Sequence, residues 1–165
     1  MALFSVIDFN LKNMMPLRLL TFIVLLLFIG LSASAQYRHQ AGVRLGSADQ
    51  VVSTGFTYRY HFNNGKAVEA ILNLRDPISL GALYEIFKPI NAVPNLQWFY
   101  GAGAYVGFSG FDNFGIMGIA GVDYQFSEVP INLTLDWKPE LNLIEGVQFR
   151  ASTVAVSVRF SFLKK

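Results

Sequence analysis

Cysteine is absent from the 165-residue sequence, and histidine occurs only twice. The lack of cysteine excludes disulfides and thiolate metal sites, and His39 and His61 do not have the HExxH spacing of a zinc enzyme. Acidic and basic residues nearly balance, with 13 Lys and Arg residues against 11 Asp and Glu residues, and they form no basic cluster. We therefore expect no nucleic-acid partner, no metal and no other cofactor.

The sequence also lacks an apolar run long enough for a membrane-spanning helix. Its run LLTFIVLLLFIGL has about 13 residues, whereas a spanning helix needs about 20. Lys12 and Arg18 precede this run, and Ala33 and Ala35 after it form the small-x-small pattern of a signal-peptidase site. The pattern predicts a signal peptide over residues 1–35, cleaved after Ala35, and one exported domain over residues 36–165. A retained N-terminal anchor is the alternative.

The exported domain contains apolar and polar residues that alternate at period two. In VVSTGFTYRYHF, a row from Val52 to Phe62 is mostly large and apolar, and the row from Ser53 to His61 is small or polar, which is typical of a β-strand. Turn residues such as Asn64 and Gly65 separate the strand-like segments. The pattern predicts an all-β fold of eight antiparallel, up-and-down strands, over residues 37–46, 51–62, 66–75, 79–88, 97–108, 115–126, 130–138 and 149–162.

The direction of the two rows decides the class of protein. An eight-stranded barrel has room inside only for side chains that fill it, and the large apolar rows would crowd that interior. The rows of glycines, serines and charges would fit, so we predict a transmembrane β-barrel with a polar lumen. Its charges are expected to pair and fill the lumen; a proton or ion pathway through them is the alternative. The predicted lumenal charge network consists of Arg44, Arg59, Glu69, Glu85, Asp123, Asp136, Lys138 and Arg159, with Asp136 and Lys138 as one pair.

Aromatic residues of the apolar rows gather at one end of the predicted barrel. In a meander, the end of each even strand lies at the same rim as the start of each odd strand. Aromatic belts of this kind occur where a membrane protein meets the membrane–water interface. The predicted girdle consists of Tyr60, Phe62, Trp98, Tyr100, Tyr124, Phe126, Phe160 and Phe162.

The last predicted strands carry a resemblance to a known family. GVDYQF, a short turn and PINLTLDWKPELNL form the penultimate hairpin, and TVAVSVRFSF forms the final strand. With these segments the exported domain resembles the small eight-stranded outer-membrane β-barrels of Gram-negative bacteria, the group that includes the OmpA transmembrane domain and OmpX. The hairpin is similar to one in uncharacterised outer-membrane barrel-domain proteins. Leu163, Lys164 and Lys165 follow the last aromatic residue, unlike in barrels that end on it.

The resemblance implies a location, partners and loops. It implies the outer membrane of a Gram-negative bacterium, with lipid around the barrel and with the barrel-assembly machinery recognising the final strand; we expect a monomer. A periplasmic N-terminus would place residues 63–65, 89–96 and 127–129 in the periplasm. The expected external loops are residues 47–50, 76–78, 109–114 and 139–148, with the main contact region in PELNLIEGVQ and SGFDNFG.

A catalytic role is the first alternative, because some small barrels deacylate or acylate lipid A with an activated serine beside a histidine and a carboxylate. His61 follows Arg59 at the predicted periplasmic rim and His39 lies at the start of the first strand, and neither has a serine placed beside it. We therefore predict a structural or interaction role without catalysis. The second alternative is a soluble periplasmic barrel that binds a lipophilic ligand, with the aromatic row inside.

Overall fold

The fold is that of a computed structural model, which describes residues 37–47, 51–76, 78–108, 114–144, 148–151 and 154–164. The predicted signal peptide and its cleavage motif at Ala33 and Ala35 lie outside these residues. Parts of the predicted external loops, residues 48–50 and 109–113, also lie outside them.

The described residues form ten β-strands and no helix. No helix long and apolar enough to cross a membrane occurs in these ranges. The strands are β1 (Tyr37–Gly46), β2 (Gly55–His61), β3 (Lys66–Asn73), β4 (Ser79–Pro89), β5 (Leu96–Gly107), β6 (Phe114–Gln125), β7 (Ile131–Trp137), β8 (Glu140–Asn142), β9 (Gln148–Arg150) and β10 (Val154–Lys164).

The sheet closes on itself. Strands β1 to β7 pair in chain order, and β10 pairs with both β7 and β1, always antiparallel. The closing register runs from Tyr37 opposite Lys164 to Gly46 opposite Ala155. Closure removes the unpaired edges that an open sheet would expose. The predicted eight-stranded, up-and-down antiparallel barrel is therefore confirmed.

The seventh and eighth strand positions around the barrel are each divided into two strands, β7 with β8 and β9 with β10. β7 pairs with the last part of β6 and β8 with its first part, and Pro139 lies between them. Proline has no N–H to donate to a sheet, but its carbonyl oxygen accepts from the Gly118 N–H at 3.0 Å. β9 pairs with β8 and leads into β10. Residues 139–148 were predicted to be an external loop; they instead contain β8 and the start of β9.

The chain before β2 turns into the barrel and does not extend the strand. Val51 and Val52 are both buried, which a strand with alternating faces does not allow. Their N–H groups donate to the Glu140 carboxylate at 3.0 and 3.2 Å, in place of a neighbouring strand. The predicted strand over residues 51–62 is therefore wrong in its first four residues, and Val52 does not belong to the outer row.

The large apolar row of each main strand lies on the outer wall, and the small or polar row lies inside. In β2, Phe56 and Tyr58 are 56% and 43% exposed, and Thr57 between them is buried. Inward glycines let neighbouring strands approach closely. A Cβ added at Gly103 would collide with the backbone carbonyl oxygen of Ala82, so only glycine fits at this position.

Candidate functional site in the barrel interior

Arg59 of β2 lies at the centre of a buried charge cluster. Its guanidinium is 2.9 Å from Glu69 Oε2, 2.8 Å from Glu85 Oε2 and 2.8 Å from Asp123 Oδ1. Each of these residues occupies an inward position of a different strand, from β2, β3, β4 and β6. Because buried charges are costly unless they are paired, these contacts hold the four strands in one arrangement.

Arg159 of β10 extends this cluster to the strand that closes the barrel. Its Nη2 is 2.5 Å from Glu69 Oε1, and its Nη1 donates to Thr134 Oγ1 at 2.7 Å. The Thr57 hydroxyl also donates to Glu69. Asp123 accepts hydrogen bonds from Asn132 Nδ2 at 2.7 Å and from Thr134 Oγ1 at 2.8 Å. The Glu69 and Asp123 carboxylates therefore each accept hydrogen bonds from several donors.

Two further ion pairs lie beside the central cluster. Arg44 donates to both oxygens of Asp136, at 2.6 and 2.7 Å, in a bidentate pair. Lys138 is 2.5 Å from Glu140, which is also buried. Asp136 was expected to pair with Lys138, but its oxygens accept from Arg44, and Lys138 donates to Glu140.

Glu140 was missing from the predicted charge network. It has the same parity as Asp136 and Lys138, so it continues their inward row past Pro139. The prediction ended the strand at residue 138 and placed Glu140 in an external contact region. The alternation along the chain, which places residues 136, 138 and 140 on one face, could have identified Glu140 as an inward residue.

The interior also contains a large apolar cluster, so the predicted polar lumen is only partly correct. Phe87 and Phe99 stack at 5.0 Å between centroids, and the Arg59 guanidinium carbon lies 5.1 and 5.3 Å from these two rings. This cation–π contact joins the apolar cluster to the charge cluster. The apolar cluster consists of Val51, Val52, Ala67, Ile71, Leu83, Phe87, Phe99, Tyr105, Met117 and Ile119.

The interior thus has two walls of different chemistry. The inward rows of β1, β2, β7 and β10, four neighbouring strands, carry polar, charged or small side chains; we refer to them as the polar wall. The inward rows of β3 to β6 carry the apolar cluster, apart from Val51 and Val52, together with Glu69, Glu85 and Asp123; we refer to them as the mixed wall. Arg59 and Arg159 of the polar wall contact carboxylates of the mixed wall, whereas Arg44 pairs with Asp136 within the polar wall.

The predicted girdle residues lie on the outer wall at one end of the barrel, where β2 and β6 end and β5 begins. Ring pairs Tyr60–Phe62 and Tyr124–Phe126 have centroids 5.1 and 4.9 Å apart. Phe162 stacks on His39 at 5.7 Å. The remaining girdle residues, Trp98, Tyr100 and Phe160, are exposed on the outer wall.

The two histidines lie near this end and bond to side chains other than serine. His39 Nδ1 is 2.6 Å from the Tyr58 hydroxyl, and His61 Nε2 is 3.2 Å from Gln40 Oε1. Within the described ranges neither ring has the serine that an acyl-transfer site requires. Among the same residues, no group of three or more His, Asp or Glu side chains is arranged to hold a metal ion.

The predicted external contact region is only partly described. Glu140 and Asn142 of PELNLIEGVQ are buried, whereas Leu143 and Ile144 are exposed. Residues 109–113 of SGFDNFG and residues 145–147 lie outside the described ranges.

Comparison of the sequence with models of protein families finds no match, and comparison with curated proteins finds none either. The resemblance to the OmpA and OmpX group therefore stays a prediction, which the eight-stranded architecture supports at the level of the fold.

Proposed function

We propose that this chain is an integral outer-membrane β-barrel with a structural or interaction role and without catalysis. Its outer wall would face lipid, and its interior would be filled by side chains. The N-terminal segment would direct export, and the last strand would be recognised during barrel assembly. The observation that carries the proposal is the distribution of charge between the two faces of the sheet.

The outer wall is an apolar belt. Among the described side chains, outward positions between the two rims carry aliphatic, aromatic or small residues and no charge. Lys66 and Lys88 face outward only at the ends of their strands. Soluble proteins rarely expose continuous apolar patches larger than a few hundred Å², so a belt around the whole barrel favours lipid as the surrounding medium.

Strand length supports the same proposal. β4 and β10 have 11 residues, and β5 and β6 have 12. A tilted strand needs about 9–11 residues to cross the hydrocarbon layer. The longest strands of this barrel are therefore long enough to span a membrane.

The soluble, ligand-binding alternative required the aromatic row to face inward. That row is on the outer wall, and the interior positions are occupied by the ion pairs and the apolar cluster. A lipid A-modifying enzyme would need a nucleophile beside one of the histidines, and their bonded partners in the structure are Tyr58 and Gln40.

The two tryptophans provide a direct test of lipid contact. Trp98 and Trp137 are 44% and 46% exposed on the outer wall. We would reconstitute the purified protein into vesicles with and without brominated acyl chains, and record tryptophan fluorescence together with heat-dependent gel migration. The Trp98→Phe and Trp137→Phe variants assign the signal to each position. Strong quenching of both tryptophans is expected; a soluble, unquenched protein would overturn the proposal.

A matched pair of outer-wall substitutions tests whether the middle of the outer wall lies in the hydrocarbon layer and its rim near the interface. Leu135 lies inside β7 opposite Val122 and Val156, and Ile131 is at the start of the same strand and on the same face. An outward arginine costs about 2–4 kcal/mol at the midplane and about 0–1 kcal/mol near the interface. Leu135→Arg is therefore expected to impair insertion into vesicles far more than Ile131→Arg. Equal effects of the two substitutions would argue against a lipid-facing wall.

Fractionation of a Gram-negative host tests the membrane itself. The protein is expected to sediment with the outer membrane on a density gradient. Recovery from the inner membrane or from the soluble periplasm would contradict the proposed location, whatever the result in vesicles.

A further inference from the structure

The central charge cluster contains more negative than positive side chains. Arg59 and Arg159 face three carboxyl groups, those of Glu69, Glu85 and Asp123. The two other ion pairs, Arg44–Asp136 and Lys138–Glu140, are balanced within themselves. If every group were ionised, one negative charge would remain buried without a compensating cation, which a low-dielectric interior strongly disfavours.

The excess charge falls on Glu85, the carboxyl group with the fewest hydrogen-bond donors. Its side chain is fully buried, and Oε1 receives only a long contact from Arg59 Nη2 at 3.4 Å. Oε2 lies 2.8 Å from Arg59 Nε, but the two atoms are not aligned for a hydrogen bond, and each lacks a hydrogen-bond partner among the described residues. Glu69, in contrast, accepts from Arg59, Arg159 and Thr57.

Glu85 and Glu69 lie on neighbouring strands, and Arg59 Nη2 contacts an oxygen of each, at 3.4 and 2.9 Å, so the two carboxyl groups are close enough for a hydrogen bond to join them. Two carboxylates cannot form such a bond, because neither has a hydrogen to donate. A carboxylic acid and a carboxylate can, and paired carboxyl groups in other proteins share one proton for this reason.

We propose that the barrel interior is a binding site for one proton, carried by Glu85 and donated in a hydrogen bond to Glu69. The protonated form makes the central cluster neutral and gives Glu85 a donor. The inference is independent of the membrane location, because it depends only on the buried cluster.

The other charged and titratable groups around Glu85 do not supply the missing positive charge. Arg59 and Arg159 are already counted, and Arg44 is engaged by Asp136. His61 is the remaining candidate, but it bonds to Gln40, packs against Phe87 with centroids 5.0 Å apart, and follows Arg59 by two residues on the same inward row. A second positive charge beside Arg59 would be repelled.

Infrared spectroscopy detects this proton directly, since a protonated carboxyl group absorbs at a higher frequency than a carboxylate. We would record spectra of the purified wild-type protein in lipid vesicles at pH 7. Glu85→Gln replaces the acid by a neutral amide of the same shape that still donates to Glu69, and Glu128→Gln is the control at an exposed carboxylate, which leaves the buried charges unchanged. The acid band is expected in the wild type and in Glu128→Gln, and its loss is expected in Glu85→Gln.

Unfolding equilibria provide a second readout. If the folded protein holds one proton more than the unfolded chain, its stability must fall as pH rises, because the derivative of unfolding free energy with pH has the sign of protons bound unfolded minus folded. The unfolding constant in urea is expected to rise about tenfold per pH unit from pH 6 upward in the wild type. Glu85→Gln is expected to remove this dependence and to retain the wild-type stability at pH 7.

Several outcomes would overturn the inference. A wild-type spectrum without an acid band would mean that another charge balances Glu85, with protonated His61 as the first candidate. An acid band that persists in Glu85→Gln would place the proton elsewhere. A wild-type stability that rises with sodium concentration and not with acidity would indicate a metal cation in place of a proton. If Glu85→Gln failed to fold, the wild-type spectrum and its pH dependence would still decide the question.

Discussion

The polar wall and the mixed wall of the interior are enclosed by the same apolar outer wall but are stabilised differently. On the polar wall, Arg44, Arg59 and Arg159 are held by specific carboxylates at 2.5 to 2.9 Å. On the mixed wall, Leu83, Phe99 and their neighbours are held by close packing. The difference teaches that the two walls are joined by a few long cationic side chains. Arg59 and Arg159 contact carboxylates of the mixed wall, and Arg59 also lies over the rings of Phe87 and Phe99.

The largest expected effect comes from removing the cation that joins the two walls. Arg59→Met keeps most of the side-chain volume but leaves Glu69, Glu85 and Asp123 without their shared partner. Loss of one partner from a buried ionic network costs about 3–5 kcal/mol. We expect a loss of this size in the free energy of unfolding, measured by urea titration in vesicles.

The control for Arg59 is an arginine outside the barrel. Arg75 is exposed beyond the end of β3, and Arg75→Met is expected to change stability by less than about 0.5 kcal/mol. Similar effects of the two substitutions would mean that the buried network contributes no more than a surface charge.

The mixed wall is expected to respond as a packed core. Leu83 is buried among the apolar cluster, and Leu83→Ala should cost about 2–5 kcal/mol, because it removes packing and leaves a cavity. Leu80 on the same strand points outward, so Leu80→Ala leaves no enclosed cavity and should cost less. Unfolding titrations of the two variants side by side provide the comparison. A larger loss for Leu80 would mean that the outer wall carries the main packing.

The outer wall and the strand order could be predicted from the sequence because lipid-facing rows alternate at period two. Phe56, Tyr58 and Leu133 stand out between small or polar neighbours. The apolar residues of the mixed wall were missed because the prediction depended on a contrast between the two rows of each strand. Phe99 lies between the outward residues Trp98 and Tyr100, so both faces of β5 are aromatic there and the contrast between rows disappears. Parity alone would have placed Phe99 inside.

The partners within the lumen could not be predicted from the sequence. Which carboxylate meets Arg59 depends on the curvature of the closed sheet, since Asp123 is 64 residues away and reaches it across the lumen. The inward turn of Val51 and Val52 was also hidden. Two adjacent valines are typical of a strand. The reason that they lie outside β2 is that their N–H groups donate to the carboxylate of Glu140, which is almost 90 residues later in the sequence.

Glu140 connects the chain before β2 to the barrel, and its substitution should have a more local effect. Glu140→Gln removes the charge that pairs with Lys138 and weakens two hydrogen bonds from the Val51 and Val52 N–H groups. Hydrogen bonds to charged groups contribute about 1.5–3 kcal/mol. We expect faster hydrogen exchange at Val51 and Val52, measured by NMR, while the amides of β1 and β10 keep their protection. Uniformly faster exchange would indicate global destabilisation.

The smallest net effect is expected where one ion pair is replaced as a whole. Arg44→Leu alone leaves Asp136 buried without its bidentate partner, so it should cost about 3–5 kcal/mol. Adding Asp136→Leu removes the uncompensated charge, and apolar replacements of buried ion pairs are often neutral or stabilising. The double variant should therefore unfold within about 1 kcal/mol of the wild type, which would make this part of the polar wall resemble the mixed wall. If the double variant were as unstable as Arg44→Leu, the pair would be needed to position β1 against β7 and β10, and the two walls would not be interchangeable.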